Sequence, residues 1–387
     1  MSIDIKKKVV IVSNFYNGAN TSRPYVVSKF FYEEGMKVIL YTADFNHYTK
    51  TKIENKKENI NYISVPKYRK NFSFKRIISH IIFALRIRKK LENIENIDIL
   101  YINTPPNILG YWITKKIKAS KIVIDIIDLW PEAMPIKKVF KIFLYPFFKY
   151  WIKLRENSLE KADYILTHTN NFYELLNLKR YNYKSKVIYL KKTTYYFFKN
   201  PSIEGEKLRI IYIGNISYIY DFDSLIEILK KLKANLEIIG EGPYRDELIK
   251  KLKAEKIKYN FYGIILDEDK KLEIIKNCHF GYNGYKETTE VSMSYKSIDY
   301  FSYGLPIINS ANGDTWKLIE EYKLGYNFQK NNLKSLIKNI KKLNNVEYAK
   351  KCERVKNVFL KYFSYKSYKK EMKMIIEDIN RRKIEDK

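Results

Sequence analysis

The sequence predicts an α/β fold: two doubly wound, parallel-sheet domains facing a cleft. In both halves of the chain, short β-prone apolar runs alternate with helical patterns, which is how strand–helix–strand units read in sequence. The polar stretch KNPSIEGEKL, residues 199–208, carries Pro and Gly and separates two such series, so it reads as a linker. With 387 residues, 45% apolar and 16% aromatic, the chain has enough apolar material for two cores and is not a disordered one.

The first series places strands at 8–13, 37–41, 62–65, 97–102, 121–126, 164–167 and 187–190. The second places them at 209–213, 236–239, 258–262, 280–282 and 306–309, each followed by a helical pattern. From residue 348 onward Val355, Phe359, Tyr362 and Met372 recur at helical spacing, leaving only the closing RRKIEDK to fray.

The formal net charge is +30, and only 12 of the 73 basic residues are Arg. A positive surface favours phosphosugars, acidic lipid headgroups or nucleic acid. Lys, Ile, Asn and Tyr are all abundant, as an AT-rich genome produces, so part of the charge reflects composition. Sequence-specific nucleic-acid readers lean on Arg, and the chain shows no arginine-rich tract, zinc finger or RNA-binding aromatic signature. Cys278 and Cys352 stand far apart, which excludes a disulfide framework and fits a reducing, cytoplasmic setting. The opening MSIDIKKKVVIVSNF has an apolar run too short for a secretory core and reads as a first strand. No run approaches the roughly 18 apolar residues of a membrane span. His47, His80, His168 and His279 are dispersed, so no metal site is expected.

Chemistry concentrates in four ordered segments. IIYIGNISYIYDFDSLI passes from a strand through Gly214 and Asn215 toward a helix, with Ser217, Tyr220 and Asp221 in the connection. LEIIGEGPYRDELIK repeats the arrangement with Gly240, Glu241 and Gly242. Glycine admits a phosphate close to the backbone and a helix N-terminus favours negative charge, although strand-to-helix turns also take Gly for geometry alone. YNFYGII follows with Tyr262, Gly263 and Ile264, and then SYKSIDYFSYGLPIIN, in which Ser294 precedes Lys296 and Asp299. Three residues apart on a helix, that cation and carboxylate share a face and are expected to be presented together, as a ligand pair or as a surface ion pair. The triplets Asp221 to Asp223 and Asp267 to Asp269 stand at helix starts and read as caps. Near the N-terminus, FYNGANTSRPYVV offers Asn17, Gly18 and Arg23 as contacts to a donor phosphate or an acceptor, or merely as a helix start before Pro24.

Taken with IDLWPEA in the first half, these segments resemble the family 4 (glycosyl group 1) glycosyltransferases of the GT-B fold, capsular or surface polysaccharide type. The resemblance implies a retaining, metal-independent transfer from a nucleotide diphosphate sugar held by the C-terminal domain, with no further cofactor. It implies domains at 1–198 and 208–350, and a helical segment at 351–387 packing back toward the first. Gly214, Asn215, Ser217, Tyr220 and Asp221 then correspond to the diphosphate loop, Gly240 to Gly242 to a second phosphate turn, and Tyr262, Gly263 and Ile264 to the cradle of the base. Asp299 corresponds to the acid that holds ribose hydroxyls, and Lys296 to a phosphate-neutralising base beside Ser294. Asp128 and Lys296 are the candidate catalytic residues. The chain departs from the family where Val291 replaces the first acid, and where Ile127 stands at a position often held by His.

The implied partners are the nucleotide-sugar donor, a glycan or lipid-linked acceptor and an anionic membrane surface on the cytoplasmic face, with nucleic acid excluded. Two basic amphipathic stretches suit that surface. One carries Ile77, Ile78, Ile81, Ile82 and Leu85, the other Phe140, Phe143, Leu144, Phe147 and Trp151, and both equally suit packing on the domain's own sheet. A nucleotide-sugar epimerase of similar fold and a basic RNA-binding protein are the competing readings.

Overall fold

Strands covered on both faces read as unbroken apolar runs, and Val9, Val10, Ile11 and Val12 in the first strand are completely buried. The computed structural model describes residues 7–16, 18–19, 22–71, 73–132, 142, 144–205 and 207–385. The chain divides into two units, residues 1–189 with 369–387, and residues 190–368.

The first unit runs β1 (Lys8–Ser13), α1 (Arg23–Glu33), β2 (Lys37–Ala43), β3 (Phe45–Asn46), β4 (Thr51–Lys52), β5 (Ile60–Ile63), α2 (Phe74–Glu92), β6 (Ile99–Thr104) and α3 (Asn107–Lys116). It continues through β7 (Lys121–Ile126), α4 (Tyr145–Lys161), β8 (Tyr164–Thr167), α5 (Asn170–Leu175) and β9 (Ser185–Val187). Seven of these strands form one parallel sheet in the order β5-β2-β1-β6-β7-β8-β9, while β3 and β4 make a separate small hairpin.

Its centre is a buried ion pair. Asp125 on β7 accepts from Arg23 Nε (2.8 Å) and Nη2 (3.0 Å), from Tyr101 Oη (2.6 Å) and from Asn103 Nδ2 (2.9 Å). Arg23 Nη1 donates to the Ile188 carbonyl at 2.6 Å. Arg23 is therefore a strut between α1, β7 and the segment after β9, and of its two expected roles the helix start before Pro24 is the one the structure shows. Gly18 holds a positive φ of 84° and its carbonyl accepts from Lys57 Nζ; Asn17 lies outside the described residues.

The stripe expected on α2 is not its buried face, and of the α4 stripe Leu144 and Trp151 pack against Trp130 and Phe148. The buried face of α2 is Arg76, Ser79, His80, Phe83, Ala84, Ile87 and Leu91, which leaves Ile78 and Leu85 exposed and Ile77, Ile81 and Ile82 half-buried. On α4 the buried face is Phe148, Leu154, Arg155, Ser158 and Leu159, with Phe147 exposed. Phe140 and Phe143 lie outside the described residues.

The second unit runs β10 (Arg209–Ile213), α6 (Phe222–Leu232), β11 (Asn235–Ile239), α7 (Arg245–Ala254), β12 (Tyr259–Phe261), α8 (Glu268–Ile275), β13 (Phe280–Asn283), α9 (Tyr295–Ser302), β14 (Ile307–Asn309), α10 (Asp314–Tyr322) and β15 (Gly325–Asn327). Its sheet is parallel throughout, in the order β12-β11-β10-β13-β14-β15. Helices α11 (Leu333–Lys341) and α12 (Asn345–Tyr362) follow, and α12 contributes Tyr348 and Cys352 to the unit's core. The last helix, α13 (Tyr365–Glu385), reaches the first unit, where Lys369 and Lys373 pair with Glu33 and Glu34.

The division at residue 190 precedes the expected linker. Lys192 exchanges backbone hydrogen bonds with Phe363 and Tyr365, and Tyr196 N donates to the Ser302 carbonyl, so residues 190–198 are spent on the second unit. Residues 351–368 also lie in the second unit rather than with the returning segment.

Replacing Arg23 with Met strands Asp125 as a buried, unpaired carboxylate. Urea unfolding is expected to show a loss of about 3–5 kcal/mol. A ligand-contact role for Arg23 would leave stability unchanged.

Candidate functional site

At the carboxyl edge of the second sheet, three turns are tied to one another. Gly214 N donates to the Ile239 carbonyl (2.9 Å), Ile216 N to the Glu241 carbonyl (2.8 Å) and Gly240 N to the Gly263 carbonyl (2.8 Å). A Cβ on Gly240 would lie 1.9 Å from the Gly214 carbonyl oxygen, and one on Gly242 would lie 2.2 Å from that of Ile216. These two glycines thus serve turn-to-turn packing first. The amides of Gly214, Ile216 and Gly240 are consumed in the ties. Among the described residues, those of Asn215 and Ser217 have no backbone acceptor and remain to meet an anion.

Beneath this shelf lies Lys296. Ser294 caps α9, its Oγ accepting from Ser297 N (3.0 Å) and donating to Asn283 Oδ1 (2.8 Å). Asn283 Nδ2 donates to Asn309 Oδ1 (2.7 Å) and Asn309 Nδ2 to Asn327 Oδ1 (2.8 Å), a ladder across the ends of β13, β14 and β15 that fixes where α9 begins. The Lys296 side chain is 8% exposed and runs under Gly214, where a Cβ would come within 2.9 Å of its Cε. Its Nζ donates to Tyr212 Oη (2.8 Å) and sits 3.1, 4.2 and 5.6 Å from the ring centres of Tyr220, Tyr212 and Tyr285.

Burial pushes the Lys296 amine down to about 6. The positive end of α9 acts in the same direction, and the ring faces act against both. An amine held at a helix N-terminus, with no carboxylate within ion-pair distance among the described residues, is a group whose protonation an arriving anion favours.

Asp299 is not presented with Lys296. Its Oδ1 accepts from Lys192 Nζ (2.8 Å), which also reaches Ser302 Oγ (3.2 Å). The helix is short, and the two side chains diverge to partners on different segments. Lys192 is a site residue that sequence reading missed; it lies 107 residues away and carries no local signal.

Other expected donor contacts are engaged locally. Asp221 caps α6, its carboxylate accepting from Ser224 N (3.0 Å) and Ser224 Oγ (2.5 Å). Glu241 pairs loosely with Arg245 at 3.4 Å. Tyr262 Oη donates to the buried Glu237 carboxylate (2.9 Å), so this part of the site offers backbone rather than phenol, with Ile264 exposed beside it. Asp267 caps α8 through the amides of Asp269 and Lys270, as the triplet's helix-start position implies.

In the first unit, Asp128 accepts from Leu129 N (2.8 Å) and Trp130 Nε1 (3.0 Å). The residue reaches solvent, yet enough protein surrounds the carboxyl to raise it above its ordinary range, against those bonds and the Arg76 charge. Nearby, burial and the charges of Arg76 and Lys50 drive His47 down to about 4, so it is neutral at pH 7 and hydrogen-bonds Tyr68 Oη (2.6 Å).

Residues 196–358 match the family model of the glycosyl transferases group 1. In the solved structures, HepE of Anabaena in complex with UDP is 12% identical, over 96% of this chain and 99% of that one, with a TM-score of 0.70. Sucrose-phosphate synthase of Thermosynechococcus elongatus is 12% identical over 97% and 100%, with the same score of 0.70. The apo lipopolysaccharide outer core galactosyltransferase WaaB is 13% identical over 95% and 99%, with a TM-score of 0.61. No curated relative matches the chain in sequence. Two parallel-sheet, Rossmann-like units with these neighbours make the fold GT-B, and the match to the group 1 model falls within the second unit.

The depressed amine has a consequence for stability. Between about pH 6 and its ordinary value of 10.5, Lys296 binds a proton in the unfolded chain but not in the folded one. Its contribution therefore makes stability rise with pH across that window. Denaturant midpoints measured from pH 6 to 9 are expected to rise more steeply for the native chain than for Lys296→Met; parallel profiles would place the amine in an ordinary environment.

Proposed function

We propose that the protein transfers a sugar from a nucleotide diphosphate sugar to a glycan or lipid-linked acceptor in surface polysaccharide synthesis. The observation that carries this reading is the buried Lys296, with no carboxylate within ion-pair distance among the described residues, under the turn where the amides of Asn215 and Ser217 have no backbone acceptor, inside the domain matching the group 1 family. In that position the amine takes up a proton as the diphosphate arrives, and charge on the leaving nucleotide is stabilised by lysine and backbone amides. The turn at Tyr262 to Ile264 receives the base, and Asp299 holds the ribose through the carboxylate that Lys192 orients. HepE has been captured with UDP-glucose, which supports a uridine nucleotide as the first donor to try. Transfer proceeds with retention at the sugar carbon.

Thermal-shift titration against a panel of nucleotide diphosphate sugars tests the reading directly. At least one is expected to stabilise the chain, and silence across the panel would remove the donor. Lys296→Ala and Asp299→Ala are each expected to lose roughly ten- to a hundredfold in affinity, the equivalent of one charge-assisted hydrogen bond of about 1.5–3 kcal/mol, with the fold intact.

With Lys296 and the turn amides supplying the positive charge, turnover is expected to survive chelation of divalent ions. Loss of activity with EDTA and recovery with Mg²⁺ or Mn²⁺ would assign the charge compensation to a metal instead.

The acceptor side of the reading places the first unit on an anionic bilayer. No helix among the described residues is long and apolar enough to cross a membrane. Phe74, Ile78 and Leu85 on α2, and Tyr145, Phe147 and Tyr150 on α4, are exposed among lysines and arginines, which suits a surface-bound protein.

A further inference from the structure

We infer that the pocket between the first turns of α2 and α4 binds a lipid phosphate, one long apolar chain carrying an anionic head. The pocket has a volume of about 350 Å³, and its walls are Phe74 and Ile77 from α2, Phe147, Phe148 and Trp151 from α4, and Trp130. Its polar lining is limited to Asn71, Ser73 and Arg76, which contribute little of its surface. Arg76 is 8% exposed; its Nη1 donates to the Asn71 carbonyl (2.6 Å), while its Nε has no hydrogen-bond acceptor. The guanidinium carbon lies 3.8 Å from the Trp130 ring centre, so a ring face takes the place a counter-ion would fill.

Two further features select an anion at the same place. Both helices begin at the pocket, so both positive ends are directed there, and α4 has no side-chain cap on its N-terminus among the described residues. The nearest carboxylate acting on Arg76 is Asp128, which is already held by Leu129 N and Trp130 Nε1.

The walls select the rest of the ligand. Aromatic and aliphatic surface without donors or acceptors accommodates a hydrocarbon chain rather than a sugar or peptide. The apolar surface also continues outward. Phe74, on the pocket wall, is 84% exposed, and Lys75 and Lys149 beside the pocket's residues are exposed as well. A chain drawn from a bilayer would stay covered from the membrane to the pocket while its phosphate meets Arg76. That this lipid phosphate is the acceptor rests on the transfer reading; the binding itself does not.

Dodecyl phosphate, titrated by calorimetry below its micellar concentration and without nucleotide, is the probe. Saturable binding is expected, with dodecanol and inorganic phosphate each weaker by roughly tenfold or more. The double variant Phe74→Ser/Phe147→Ser changes two exposed side chains, so it should melt at the native temperature and bind roughly tenfold more weakly. Ile77→Trp fills the pocket and should abolish binding. Absence of saturation, equal binding of dodecanol, or variants that bind like the native chain would overturn the inference. Binding of dodecyl phosphate with no response to any nucleotide upholds the pocket and overturns the transfer reading; the reverse overturns only the pocket.

Discussion

With the Gly214 carbonyl oxygen only 1.9 Å from where a Cβ on Gly240 would sit, the turns after β10 and β11 can lie against each other only while position 240 carries no side chain. Everything at the carboxyl edge of the second sheet follows from that approach. It lets Gly214 and Ile216 donate across to the next turn, which lines up the outward amides of Asn215 and Ser217. It also sets the height of the shelf, and the space left beneath is filled by the Lys296 stem. The same atoms that close the fold thus fix the distance between a lysine and a row of amides.

Most of the architecture was legible because a parallel sheet covered on both faces has a simple signature. The runs at 8–13, 121–126, 164–167 and 209–213 appear in the structure with the same limits, since each is a continuous apolar stretch between turn residues. Strand β15 (Gly325–Asn327) was not legible: its GYN has little apolar content and exists because Asn309 and Phe328 hold it at the sheet's edge. The hairpin of β3 and β4 escaped for a similar reason, each strand having two residues. The unit boundary was misplaced because Pro and Gly at 199–208 advertise an irregular segment, whereas membership of a unit depends on which backbone groups residues 190–198 find.

At the site, local signals were read correctly as far as they are local. The strand–glycine–helix spacing and the caps at Asp221 and Asp267 are matters of a few adjacent residues. What surrounds Lys296 is not. Tyr212 and Tyr220 come from β10 and the connection after it and Tyr285 from the end of β13, and in a chain with 35 tyrosines nothing in the sequence marks them as a group. Helical periodicity put Lys296 and Asp299 on one face, but a long flexible stem decides where an ammonium ends, and Lys192 captures the carboxylate. The Asn283, Asn309 and Asn327 ladder was similarly hidden, because register between neighbouring strands that helices separate in the chain brings them side by side.

The buried cations separate structure from function by their partners. Arg23 meets the Asp125 carboxylate through two nitrogens, and Arg155 meets Glu132 through two, so each guanidinium is neutralised within the chain and holds elements together. Lys296 and Arg76 are also buried, but Lys296 meets ring faces and the Tyr212 hydroxyl, and Arg76 meets the Trp130 ring, the Asn71 carbonyl and the Tyr68 hydroxyl, with Asp128 acting on it from beyond ion-pair distance. A cation–π contact returns about 0.5–2 kcal/mol, less than desolvating the charge costs. Burial without a counter-ion weakens the free protein at those two points, and an anion binding there recovers that loss. The Gly214 turn and the apolar pocket are thus two places where, among the described residues, a buried basic group has no ion-pair partner within reach and an arriving anion would supply one. Both suit the transfer proposed above, from a nucleotide diphosphate sugar to a lipid-linked acceptor.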